Sequence, residues 1–195
     1  MATDAEWLAR LRMSDRPGVA EHYQVMLGHP ALAGLGEGVA QAYTLIVTSL
    51  EQGGTLYLGG NGGSFADALH ISGELLKSFV GPRPIARALA EALRSEPYGD
   101  ELAAHLQAGL RAHVLGANPV LASAVANDIP VPGIGLAQEL LALARRGDVF
   151  LGISTSGRST NVRMALSVAR ALGLATIGLT GSAHADNPLA GGVDV

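Results

Sequence analysis

His70 and Glu74 stand four residues apart, so a helix of about 3.6 residues per turn sets the imidazole and the carboxylate on one face. Such a pair can share a divalent cation, or the carboxylate can act as a general base beside the imidazole. Just upstream, Gly59-Gly60-Asn61-Gly62-Gly63-Ser64 joins an apolar run to the helical pattern that carries the pair. Consecutive glycines admit a ligand close to the backbone, and the free N–H groups of a helix start favour an anion there. Asn61 and Ser64 add side-chain hydrogen bonds. Further on, Ser154, Thr155, Ser156 and Ser159 place four hydroxyls in front of a second helix, enough to surround the oxygens of a phosphate without Lys or Arg. The competing structural reading of that loop is a helix N-cap at Ser159 or Thr160. The first loop is neither a dinucleotide fingerprint, since position 65 is Phe, nor a nucleotide-phosphate loop, since no Gly-Lys-Ser/Thr follows.

These residues need elements to hold them, and strand and helix signals alternate along the chain. From about Val19 to Leu50 the apolar positions recur at helical spacing, broken near Gly28-His29-Pro30, which predicts two helices. Thr55–Leu58 is a short β-prone run suited to a buried strand, and the helical period returns from Phe65 to Phe79. The same grammar recurs at Val149–Ile153, the hydroxyl loop and Asn161–Leu172, followed by a strand at Ala175–Leu179. Ala112–Gly116 reads as another strand, with Asn118 as N-cap and Pro119 at the first helical position of the next helix. Alternation of this kind predicts an α/β three-layer sandwich, a parallel sheet flanked by helices with ligands at the carboxyl ends of its strands. Residues 82–110 interrupt the order and read as an inserted helical hairpin whose role is peripheral packing. The expected organisation is an N-terminal helical segment over 1–52 and a sheet domain over 53–195.

Composition narrows the class. The chain has 195 residues, 48% of them hydrophobic, with net charge −4, and no basic run longer than Arg145-Arg146. One domain with a substantial core is expected, and an electrostatic footprint for nucleic acid is missing. There are no cysteines, so any metal falls to His, Asp, Glu or amide ligands. No run of about 18 apolar residues suggests a membrane span, and no leader pattern opens the sequence, which places the protein in the cytoplasm by expectation. The apolar surface on the N-terminal helices exceeds what one sheet face needs, predicting that they pair between subunits.

Four separated motifs carry a resemblance. Gly60-Asn61-Gly62-Gly63-Ser64, His70-x3-Glu74, Ala126-Asn127-Asp128 and Ile153-Ser154-Thr155-Ser156-Gly157-x-Ser159-x-Asn161-Val162 together resemble the phosphoheptose isomerases, in the family's order. The likeness runs from about residue 20 onward, excluding the hairpin. The resemblance implies the sugar isomerase (SIS) domain, a flavodoxin-like or Rossmann-like fold, and conversion of sedoheptulose 7-phosphate to D-glycero-D-manno-heptose 7-phosphate through an enediol. It implies that Asn61, Gly62, Gly63, Ser64, Asn127 and Asp128 contact the sugar phosphate and that Ser154, Thr155, Ser156 and Ser159 hold its phosphate. Glu74 would be the base, with His70 beside it, and both would be ligands to one zinc ion per site. It implies a homotetramer or homodimer with sites near subunit interfaces, and a small-molecule substrate without nucleic acid or membrane. Members of the family continue into a helix with a Gln and a His that complete the metal site. Here the sequence ends at Gly191-Gly192-Val193-Asp194-Val195, so two ligands are assignable, with His113 and His184 as possible substitutes. Where many members carry Arg four residues after the base, this chain has Ser78, and Lys77 is expected to supply part of the phosphate's countercharge. Alternatives are an isomerase of an eight-carbon ketose phosphate, a non-catalytic interaction protein of the same fold, and a sugar-phosphate sensor.

Overall fold

The computed structural model describes residues 2–14, 16, 18–181 and 186–195. The chain divides into two compact units, Met1–Thr48 with Val195, and Ser49–Asp194. In the first, α1 (Asp4–Arg12) starts on a capping box in which Thr3 and Glu6 satisfy each other's backbone N–H groups. It is followed by α2 (Val19–Leu27) and the start of α3 (Gly36–Glu51), so the predicted break near Gly28-His29-Pro30 separates two helices. Leu11, Ala20, Tyr23 and Ala40 form a small core of their own.

That core has a pH signature. The Tyr23 hydroxyl donates to Asp4 Oδ1 at 3.1 Å. Burial first, and then this bond, push its pKa up to about 12. Ionisation is thus harder in the folded chain than in the unfolded one, whose tyrosine titrates near 10. The stabilisation is complete below about pH 10 and is lost as the pH rises toward about 12, by roughly 2 to 3 kcal/mol. Alkaline unfolding followed by circular dichroism is expected to begin at higher pH in Tyr23→Phe than in the wild type. Coincident transitions would refute the assignment.

The second unit is the α/β part. Leu56–Gly59 (β1) is followed by α4 (Gly63–Leu76), the hairpin α5 (Arg87–Leu93) and α6 (Gly99–His105), and β2 (Ala112–Val114). Then come α7 (Pro119–Asp128), α8 (Gly135–Leu143), β3 (Val149–Ser154), α9 (Thr160–Leu172) and β4 (Ala175–Thr180). The sheet is parallel throughout, in the order β2-β1-β3-β4. All six residues of β3 are buried, as expected of a central strand covered on both faces. One face carries Tyr57 and Phe150 against Leu136 and Leu140 of α8 and Val162, Ala165, Leu166 and Ala169 of α9. The four α9 positions recur at three and four residues, the stripe that the sequence period announced. Leu56 and Leu58, one residue out of phase with Tyr57, project to the opposite face, and α4 packs along β1, β2 and β3. This is the three-layer arrangement anticipated from the alternating signals.

Local details differ where tertiary groups intervene. Asn118 caps α7 through Oδ1, accepting from Val120 N at 3.1 Å and Leu121 N at 3.2 Å, with Pro119 first in the helix. The strand read as Ala112–Gly116 stops at Val114, because the Gly116 N–H is taken by Glu139 Oε2 at 2.7 Å. The helix read as ending at Phe79 ends at Leu76, where Lys77 turns to extended backbone. At the opposite edge of the sheet Asp148, 2% exposed, accepts from Thr55 N and Arg145 N at 2.8 Å each and ties the starts of β1 and β3 together. Among the described residues no helix is long and apolar enough to cross a membrane.

Candidate functional site

Parallel pairing decides where the two loops go. Gly59, the last residue of β1, is in register with Gly152 of β3, which runs on to Ser154 beside Thr180 of β4. The glycine loop and the hydroxyl loop therefore leave adjacent strands at the same carboxyl edge, the place where such sheets bind ligands. A reciprocal amide pair joins them: Asn61 Nδ2 donates to Asn161 Oδ1 at 2.9 Å, and Asn161 Nδ2 donates to Asn61 Oδ1 at 2.7 Å. Asn161 is the second residue of α9, so this lock holds the starts of α4 and α9 side by side.

Each loop needs its glycine. Gly62 has φ 54° and ψ −120°, a conformation that turns the chain into α4 and that a side chain would resist. Space is open where a Cβ would project from Gly62 and from Gly63, so a ligand can approach both backbones. In the hydroxyl loop Gly157 has φ 67°, and a Cβ there would collide with the Asn187 carboxamide. That carboxamide donates to Thr180 Oγ1 at 2.9 Å, and Gly181 N donates to Thr155 O at 3.0 Å, so the loop is seated on the end of β4.

Within that loop the hydroxyls are not spent on capping. Ser159 occupies the N-cap of α9 but makes no side-chain cap bond. Its Oγ instead lies 3.0 Å from Ser154 Oγ. The competing cap reading holds for the position of Ser159 and not for its side chain, which pairs with the buried strand-end hydroxyl instead. Thr155 and Ser156 are exposed, and Ser156 Oγ accepts from Arg158 N at 3.3 Å. Arg158, paired with Asp186 on the surface, brings a cation to the loop that the sequence reading had not used. The first N–H groups of α9 have no intrahelical acceptor and with these hydroxyls offer a polar cradle for an anion, whereas at the start of α4 Ser64 N and Phe65 N already donate to Asn61 O at 3.0 Å and Gly62 O at 3.1 Å.

His70 Nε2 and Glu74 Oε1 are 3.3 Å apart on α4, with side chains 76% and 34% exposed. Both reach solvent. Nitrogen and carboxylate donors at that separation suit two positions of a zinc shell, of which a closed site takes four. Among the described residues no cluster of three or more His, Asp or Glu could hold a metal. His113 is turned to another task, its Nε2 lying 2.9 Å from Glu139 Oε1, and His184 lies outside the described residues. Lys77 follows the C-terminal end of α4, about 20 Å along the helix from the glycine loop. It is therefore no countercharge for an anion there, and its Nζ donates to Ser78 O at 3.2 Å.

Asn127 and Asp128 end α7, where Asn127 Nδ2 donates to Asp128 Oδ1 at 2.8 Å. Their neighbour Ala126 lines a cavity of about 550 Å³ between α7 and α8, and Asn161 lines it too. Glu139 also borders it, 5% exposed, with one oxygen on His113 and the other on Gly116 N. Sequence reasoning missed Glu139. The available signal was a carboxylate on the apolar stripe of α8 beside Leu136 and Leu140, where a charge needs dedicated partners.

Comparison with known proteins bears on this geometry. The SIS domain family matches residues 131–181, which include the hydroxyl loop. The phosphoheptose isomerase of Burkholderia pseudomallei is 32% identical over 164 residues, covering 84% of this chain and 71% of that protein. That of Desulfovibrio desulfuricans is 36% identical over 136 residues, covering 70% of this chain and 53% of that protein. The match to the second relative therefore spans about half of its length. Among solved structures, phosphoheptose isomerase from Neisseria gonorrhoeae superposes with TM-score 0.62 at 28% identity, covering 90% of this chain and 79% of that one. The enzyme from Francisella tularensis, 24% identical over 94% of this chain and 83% of that one, shares the fold with TM-score 0.64.

Proposed function

This chain belongs to the phosphoheptose isomerase family, and from that premise we propose that it interconverts a ketose phosphate and an aldose phosphate, sedoheptulose 7-phosphate and D-glycero-D-manno-heptose 7-phosphate. The observation that carries the reading is the joined pair of loops at the carboxyl edge, with the Ser154–Ser159 hydroxyl pair in one and open glycine backbone in the other. The phosphate sits on the hydroxyl loop. The sugar chain runs toward α4, where Glu74 leans back toward the helix start. Its carboxylate takes the proton from C1, and the electron pair flows into the C2 carbonyl to give an enediolate. Return of the proton to C2, with a proton delivered to O2 and withdrawn from O1, gives the aldose.

Zinc belongs to this reading through His70 and Glu74, two of its donors; when bound, it supplies Lewis-acid stabilisation of the enediolate charge. Assembly as a homotetramer or homodimer is supported by exposed apolar side chains on or just past α4, namely Leu69, Leu76, Phe79 and Val80. A cytoplasmic location completes the proposal. His70 and Glu74 facing each other on α4 favour catalysis over a sensing or interaction role, which requires neither group.

The test is direct. Purified protein incubated with sedoheptulose 7-phosphate should show aldose signals by NMR, and light scattering should give two or four subunits per particle. An unchanged substrate spectrum with zinc-supplemented protein would refute the activity, and a stable monomer at dilution would refute the assembly.

A further inference from the structure

The inserted hairpin, expected to be peripheral packing, bears on the turn of α4 that carries Glu74. Arg83 Nη2 donates to the carbonyl of Glu74 at 3.1 Å and to that of Leu75 at 2.7 Å. From the far end of the insertion, Leu110 N donates to the same Leu75 carbonyl at 2.8 Å. The two ends are joined to each other: Ala108 N donates to Arg83 O at 2.7 Å, and Pro84 and Gln107 form an antiparallel bridge. Gln107 Oε1 in turn accepts from Ser78 N at 3.2 Å and from the Ser78 hydroxyl, just past the helix. By contrast, α5 buries no residue and α6 buries only Gly99. A hairpin kept for packing would bury apolar side chains; this one concentrates its bonds at its base.

The chemistry suits the place. The last carbonyls of a helix have no intrahelical donor and carry the negative end of its dipole, which a cation at that end relieves. Nη2 of Arg83 satisfies two of them with its two N–H groups, from the end of a side chain one atom longer than that of Lys. Arg83 Nε is meanwhile buried without a partner, so the guanidinium is held here by its carbonyl bonds rather than by a complete set of its own. Fixing the Glu74 and Leu75 peptides fixes where the Glu74 Cα–Cβ bond points, and a base misplaced by about 1 Å can cost as much as 100-fold in rate.

We propose that Arg83 is a positioning residue for the isomerisation, clamping the peptide of Glu74 so that its carboxylate addresses the substrate carbons. The inference rests on the functional reading above. It is tested by steady-state kinetics on sedoheptulose 7-phosphate with Arg83→Ala and Arg83→Lys, each checked for folding by circular dichroism. Arg83→Ala is expected to lower kcat about tenfold with KM within twofold of the wild type, and millimolar guanidinium should restore part of the loss. Arg83→Lys keeps the charge, but its shorter side chain brings Nζ up short of the two carbonyls that Nη2 reaches, so its kcat should fall about threefold. If Arg83→Ala does not fold, the Lys variant decides, and a kcat equal to that of the wild type overturns the clamp. So does a folded Ala variant with unchanged kcat, or one whose loss lies in KM. Wild-type protein without turnover overturns the functional reading and this inference together, whereas active wild type with indifferent Arg83 variants overturns the inference alone.

Discussion

Glu74→Gln is expected to lower turnover by about 100-fold or more while leaving sugar-phosphate binding intact. Gln keeps the size and the hydrogen-bonding oxygen of Glu74 but cannot take a proton from carbon, and loss of a general base costs on the order of 100- to 10,000-fold. A purely structural account of the same residue predicts a much smaller effect. The Glu74–His70 pair is an i,i+4 contact at 3.3 Å with a largely exposed histidine. Such pairs contribute roughly 0.3 to 0.5 kcal/mol, whereas a 100-fold loss corresponds to about 2.7 kcal/mol of barrier. The structural account therefore predicts a slightly lowered melting temperature and retained turnover. Deuterium incorporation from solvent at C1 or C2 of the sugar, read by NMR, separates the two. Exchange at the wild-type rate in the Gln variant would mean that another group takes the proton, and Glu74 would lose its role.

The double variant Ser154→Ala, Ser156→Ala is expected to weaken sugar-phosphate binding by about 2 to 3 kcal/mol, or about 30- to 150-fold, at about 1 to 1.5 kcal/mol per hydrogen bond. The two hydroxyls act differently. Ser156 is exposed on the loop and can meet the phosphate directly. Ser154, only 4% exposed, acts through Ser159, whose hydroxyl it holds at 3.0 Å. Removing it breaks the Ser154–Ser159 hydrogen bond, so a stability cost of about 1 kcal/mol accompanies the lost affinity. Titration calorimetry with sedoheptulose 7-phosphate measures the first quantity and thermal unfolding the second. Full affinity in the double variant would place the phosphate elsewhere.

Much of the candidate site was legible because its signals are local. The glycine loop, the i,i+4 pair, the Asn118-Pro119 helix start and the apolar stripe of α9 each lie within a few residues, where backbone sterics, capping and helical period act. The alternation of those signals was enough to specify a parallel sheet and its carboxyl edge. Resemblance in four motifs then supplied the chemistry.

What the tertiary structure alone decided lies between residues far apart in the chain. Asn61 and Asn161, one hundred positions apart, pair because β1 and β3 are neighbours in register, and no local period encodes that register. Ser159 looks like a cap until Ser154 is found within reach of its hydroxyl, since capping and side-chain pairing compete for one oxygen. Lys77 is sixteen residues from Asn61 in sequence, but a rigid helix carries it to the opposite end from the loop. Glu139 is a surface-type residue by composition and becomes a buried group because His113 and Gly116 N, from the β2 side, complete its hydrogen bonds. The hairpin, too, reads as an insertion in one dimension and as a clamp on Glu74 in three, because Arg83 reaches the carbonyls that the end of α4 leaves without donors.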